Sequence, residues 1–125
     1  MTIAEFTMPV QASESADSIA RRVGGCIVLT FLNGNSGPDN LRTAEITGHA
    51  VSGRGYDHAF ELWSEPTVNG KKGEMLLGDV YLKVNGGSSN VRVEFPPVIP
   101  RPSSVYDPQL LKSLFYFYAR NHLSH

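Results

Sequence analysis

Residues 13–32 read SESADSIARRVGGCIVLTFL, and the way this stretch divides decides the fold. Ala16, Ile19, Ala20 and Val23 stand at the i, i+3, i+4, i+7 spacing of one helical face, behind serines able to cap a helix start. Gly24 falls where such a helix would stop. The expectation is a short helix over residues 15–23, with a hairpin as the competing reading. The apolar run GCIVLTFL, 25–32, is then a buried strand, closed by the turn-forming cluster NGNSGPDN.

Outward from that stretch the pattern changes to a period of two. Upstream, IAEFTMPV (3–10) places Ala4, Phe6, Met8 and Val10 on one face, and Pro9 consigns the strand to a sheet edge. Downstream, LRTAEITGHAV, YDHAFELWSE, EMLLGDVYLKV and VRVEF read as an antiparallel meander separated by glycine-rich turns. Pairing Val84 with Val91, Leu82 with Val93 and Val80 with Phe95 gathers six apolar residues on one face. Tyr81, Lys83, Arg92 and Glu94 then share the other. PPVIPRPSS cannot continue a sheet, because its prolines lack donors. Asp107 followed by Pro108 opens a C-terminal helix through QLLKSLFYFYARNHL, whose Arg120 and His122 suit the helix dipole. The expected fold is therefore a single α+β domain over 1–125. It has an antiparallel meander of about five to six strands, a short N-terminal helix or hairpin, and an amphipathic C-terminal helix packed on the sheet.

Eleven basic and twelve acidic residues give a net charge of -1, so the whole-molecule field neither attracts nor repels nucleic acid strongly. The single cysteine, Cys26, excludes an intramolecular disulfide and sits in an apolar run, as a small core hydrophobe would. MTIAEFTMPV is too polar for a signal peptide, and no apolar run reaches membrane-spanning length. A soluble protein of cytoplasmic synthesis is expected, without membrane partners.

Catalytic signatures are missing. The sequence has no Gly-x-Ser-x-Gly elbow and no phosphate-binding glycine loop. His49 and His58 flank a Gly-Arg-Gly turn, and in one register they would face each other across a hairpin. One residue of slip pairs His49 with Ala59 and turns His58 to the opposite face. Two histidines are half a zinc site, with no third ligand beside them. No enzyme activity, cofactor or metal is expected.

Two features lean toward interaction. On a helical wheel Phe117, Leu110, Leu114, Tyr118, Leu111 and Phe115 fill an arc of roughly 160°, wider than one sheet covers. A second subunit would cover the remainder, with Leu114, Phe115, Phe117 and Tyr118 as anchors. The other feature is the sheet face of Tyr81, Lys83 and Arg92, where cations and an aromatic ring suit phosphates and bases.

Taken together, RTAEITGHAVSGRGYDHAFELWSEPTV, LLGDVYLKV, VRVEF and QLLKSLFYFYAR, over about residues 42 to 120, resemble in element order the coat proteins of single-stranded RNA bacteriophages. The resemblance implies subunits that join their sheets, helices that pack on the partner, and an opposite face that binds genomic RNA. It departs at 15–23, where that family has a hairpin, in having one terminal helix rather than two, and in its lower positive charge. The leading expectation is a non-enzymatic, self-associating structural or interaction protein, a dimer through sheet edges and the C-terminal helix. A virion coat subunit that binds RNA is its most specific form. The alternative is a small-ligand-binding domain whose sheet grips the C-terminal helix around a pocket of Leu111, Phe115 and Tyr118.

Overall fold

A computed structural model describes residues 3–33, 46–51, 55–64, 67–68, 71–72, 75–96 and 108–123. The elements run β1 (Ile3–Pro9), α1 (Ala16–Asn33), β2 (Ile46–Ala50), β3 (His58–Ser64), β4 (Thr67–Val68), β5 (Lys71–Lys72), β6 (Met75–Asn85), β7 (Ser88–Glu94) and α2 (Pro108–His122). Five strands form one antiparallel sheet in the order β1-β7-β6-β3-β2, and β4 and β5 make a small separate ribbon. The protein is α+β. The meander β2-β3-β6-β7 is completed by β1, which closes onto β7 as the edge strand that Pro9 requires.

The N-terminal element is a helix and not a hairpin, and it does not stop at Gly24. Ser15 caps it: its Oγ accepts the Ser18 N–H at 3.1 Å. Glu14 just ahead receives the Ser18 hydroxyl and two guanidinium N–H groups of Arg22, at 2.9 to 3.0 Å. The strand expected over 25–32 is the second half of this helix. Ile19, Val23, Ile27 and Phe31 are buried at successive i, i+4 steps, with Ala20 and Val28 beside them, so the helical period runs straight through the two glycines. Gly24 is a close-approach residue. A Cβ there would meet Leu62 Cδ1 at 3.2 Å and Ile46 Cγ2 at 3.3 Å, so α1 lies against β2 and β3 because position 24 has no side chain. The buried Thr30 hydroxyl donates to the Cys26 carbonyl at 2.8 Å. The turn cluster expected to close this segment lies outside the described residues, apart from Asn33.

The β6–β7 hairpin keeps the expected faces but shifts by two residues. Val80 pairs with Val93, Leu82 with Val91 and Val84 with Ser89. The loop is only Gly86–Gly87, and Gly86 takes φ 63°, which a two-residue hairpin loop accepts readily. Strand pairing therefore starts at Ser88 and not at Val91. A bulge in β6 opposite Leu62 and Trp63 inserts Leu77 into the core. Gly78 beside it takes φ 148°, and a Cβ there would stand 2.8 Å from the Glu94 carbonyl oxygen.

Both helices cover one face of the sheet. α1 lies over β2, β3 and β6, and α2 packs alongside α1 and over β1. A chain of edge-to-face rings ties the layers together: Phe31 to Phe95 at 6.4 Å, Phe95 to Phe115 at 5.4 Å, and Phe115 to Phe6 at 5.6 Å. α2 begins at Pro108, as the Asp-Pro pair predicts; Asp107 itself lies outside the described residues. Most of the PPVIPRPSS connector lies outside them too. No helix among the described residues is long and apolar enough to cross a membrane.

Candidate functional site

Among the described residues both helices lie on one face, so the opposite face is the open one, and alternation assigns its residues. They form cross-sheet rows. One row runs His49, Glu61, Asp79, Glu94 and Ile3 across β2, β3, β6, β7 and β1. The next runs Ala59, Tyr81, Arg92 and Glu5. Lys83, Asn90 and Thr7 form a third.

Tyr81, Lys83 and Arg92 thus share the open face, but their setting is acidic. Arg92 is held by Glu5 at 3.0 Å and Glu94 at 3.4 Å. Glu61, Asp79 and Glu94 stand directly opposite one another on neighbouring strands, an arrangement that is unfavourable between like charges. Partial burial, together with the charges of Glu61 and Glu94, raises the Asp79 carboxyl above the usual value. Glu61 also accepts the Trp63 indole N–H at 2.7 Å, and Tyr56 leans on Tyr81 at 5.2 Å between ring centres. A shallow cleft of about 560 Å³ opens beside Glu5, Thr7, Tyr56, Lys83, Asn90 and Arg92. Glu5 was legible from the alternation of β1. Its place beside Arg92 required the pairing of β1 with β7, which no local signal announces.

The two histidines do not meet. His49 pairs with Glu61 on the open face, whereas His58 pairs with Leu82 on the helix-covered side, at its exposed margin. The observed register differs from both expected ones, because the last β2–β3 bond is Val51 N–H to the Ala59 carbonyl, at 3.0 Å. Among the described residues no group of three or more His, Cys, Asp or Glu side chains could hold a metal.

α2 divides the residues expected to anchor a partner. Phe115 is fully buried with Leu111, Ala119 and Leu123, so its ring serves the chain's own core and offers nothing to a second copy. Leu114 and Tyr118 are half-buried. Phe117 is 58% exposed and Leu110 51%, and with Leu114 they make an i, i+4, i+7 stripe on the outer side of the helix. Leu111 and Phe115, two of the three residues expected to line a ligand pocket, are packed solid. A groove of about 260 Å³ lies beside α2 against β1, bordered by Phe6, Tyr116 and Arg120.

Both sheet edges carry caps. On β1, the Tyr116 hydroxyl accepts the Glu5 N–H at 2.9 Å and donates to the Glu5 carbonyl at 3.2 Å, and Arg22 reaches the Pro9 carbonyl at 3.3 Å. On β2, Arg21 donates to the Ile46 carbonyl at 2.7 Å. No family model, no curated protein and no solved structure matches this chain.

Proposed function

We propose that this chain is a non-enzymatic structural or interaction protein that associates with itself. The observation that carries the reading is the outer stripe of α2. Phe117 and Leu110 lie more than half exposed along a helix whose opposite row is fully buried, and Leu114 joins them. Placing a phenylalanine and a leucine in water on a fixed helical surface has no folding benefit, whereas such residues are what a protein partner covers.

A coat-type shell is the most extended form of this reading. Charge weighs against its RNA-facing part. Around Tyr81, Lys83 and Arg92 stand Glu5, Glu61, Asp79 and Glu94, and Arg92 is already paired with two of these carboxylates. Phosphates would meet more negative than positive charge there. The role we propose is therefore protein association, with the chain itself as first partner.

Replacing Phe117 by Ala tests it. Because the ring is mostly exposed in the single chain, the variant should keep its melting temperature while its self-association weakens in sedimentation velocity. A variant whose association is unchanged contradicts a role for this stripe.

A further inference from the structure

The two edges of the sheet are closed differently, and among the described residues only one of them offers consecutive open outward residues. In an antiparallel strand, the N–H and C=O of one residue point to the same side, and successive residues alternate. On β1, Val10 N–H bonds inward to the Gly87 carbonyl, and the Glu5 groups point out to Tyr116. The outward residues are therefore Ile3, Glu5, Thr7 and Pro9. Both groups of Glu5 are bonded, the Pro9 carbonyl is bonded to Arg22, and Pro9 has no N–H to offer. Among the described residues Ile3 and Thr7 keep open groups, but the Tyr116 hydroxyl on Glu5 between them, and Pro9 beyond, leave no two consecutive outward residues open on this edge.

On β2, Val51 N–H bonds inward to Ala59, and Ile46 C=O points out to Arg21. The outward residues are Ile46, Gly48 and Ala50. Arg21 closes only the first. Among the described residues, the N–H and C=O groups of Gly48 and Ala50 have no partner. At the end of the same strand stands Val51, 43% exposed and one of three large apolar side chains so exposed among the described residues.

We infer that a second copy of this chain docks on the β2 edge, antiparallel, with the two-fold axis between His49 and its counterpart. This assignment rests on the self-association proposed above and gives it a second surface beside the α2 stripe. In this register Gly48 of each copy exchanges both backbone bonds with Ala50 of the other, so all four open pairs are satisfied. Ile46 falls outside the exchanged bonds, and the Arg21 cap stays in place. On the open face, Val51 covers Thr47 of the other copy, a β-branched cross-strand pair that removes the exposed valine from water. The two His49 rings come side by side, each with its own Glu61 behind it, so the only basic side chains of the acidic row meet at its centre. β2 is the edge opposite β1, over which α2 lies. The edge and the α2 stripe are therefore separate surfaces, and their use together would extend assembly beyond a pair.

Two variants test the edge, with the unmodified chain as reference. Ala50→Pro removes an outward donor and leaves the inward β2–β3 bonds in place, so the dimer should weaken roughly tenfold or more for the lost symmetric bonds, with an unchanged circular-dichroism spectrum. His49→Cys changes an exposed side chain. It should form a disulfide-linked dimer in oxidised glutathione, whereas Thr47→Cys and the unmodified chain, with its buried Cys26, should not. Self-association unchanged by Ala50→Pro, or a chain that cross-links at 47 and not at 49, overturns the edge or its register while self-association stands. A chain that is monomeric at every concentration overturns both.

Discussion

The Tyr116 hydroxyl bonds both the N–H and the C=O of Glu5, at 2.9 and 3.2 Å, although the two residues are 111 positions apart. One side chain from the last helix thereby closes the middle of the first strand's free edge. Tyr116→Phe removes both bonds and nothing else. Because water can replace them at this exposed site, the expected cost is only about 0.5–1 kcal/mol. The sharper readout is amide exchange: the Glu5 N–H should lose protection while its inward-bonded neighbour Phe6 keeps it. Unchanged protection at Glu5 would mean the edge is not closed in this way.

Three glycines separate by what surrounds them. Gly25 has nothing within 4 Å of an added Cβ and lies inside α1, so Gly25→Ala should stabilise by about 0.5–1 kcal/mol. Gly24→Val should destabilise by about 1–3 kcal/mol, because Leu62 and Ile46 already occupy the space. Gly78→Ala should also cost about 1–3 kcal/mol, since its φ and the Glu94 carbonyl both exclude a side chain. Chemical denaturation of the three variants checks the order. A stabilised Gly24→Val would show that α1 does not touch the sheet there.

Those glycines also explain what the sequence hid. Two adjacent glycines after a helical face read as a helix stop, and the apolar run beyond them reads as a strand. Only the sheet surface under α1 shows why position 24 must be bare. The strand faces are legible, because alternation survives a register slip of two; the slip arises because NGGSSN has the composition of a loop, whereas Gly86 and Gly87 suffice. A wheel groups Phe115 with the partner-facing residues, because it gives the width of an apolar arc and not the portion the chain itself covers. The carboxylate row of Glu61, Asp79 and Glu94 needed the pairing of three strands, and no local pattern encodes that.

Asp79 makes a pH prediction. Its folded carboxyl is raised by partial burial and by Glu61 and Glu94, so between the unfolded and folded values the folded chain holds a proton that the unfolded chain has released. Stability from this group is therefore present below the ordinary aspartate value and falls as pH rises through the folded value. Asp79→Asn should stabilise at neutral pH by about 0.5 kcal/mol after solvent screening. The gain should vanish in acid, where both forms are neutral. A constant difference from acid to neutral pH would contradict the row's repulsion.

Cys26 should be silent in the folded protein. It is buried, and burial pushes its thiol up to about 11, against a smaller opposing pull from Arg22. At pH 8 a maleimide should leave the native chain unlabelled and modify it stoichiometrically in denaturant. Full labelling of the native protein within minutes would place Cys26 outside the core.

Self-association is tested most directly by light scattering on a size-exclusion column across a concentration series, with absorbance at 260 and 280 nm read over the same peak. The expected species has at least twice the 13.7 kDa chain mass, with the absorbance ratio of protein alone. A 13.7 kDa monomer at every concentration, or an assembly carrying nucleic acid, would contradict it.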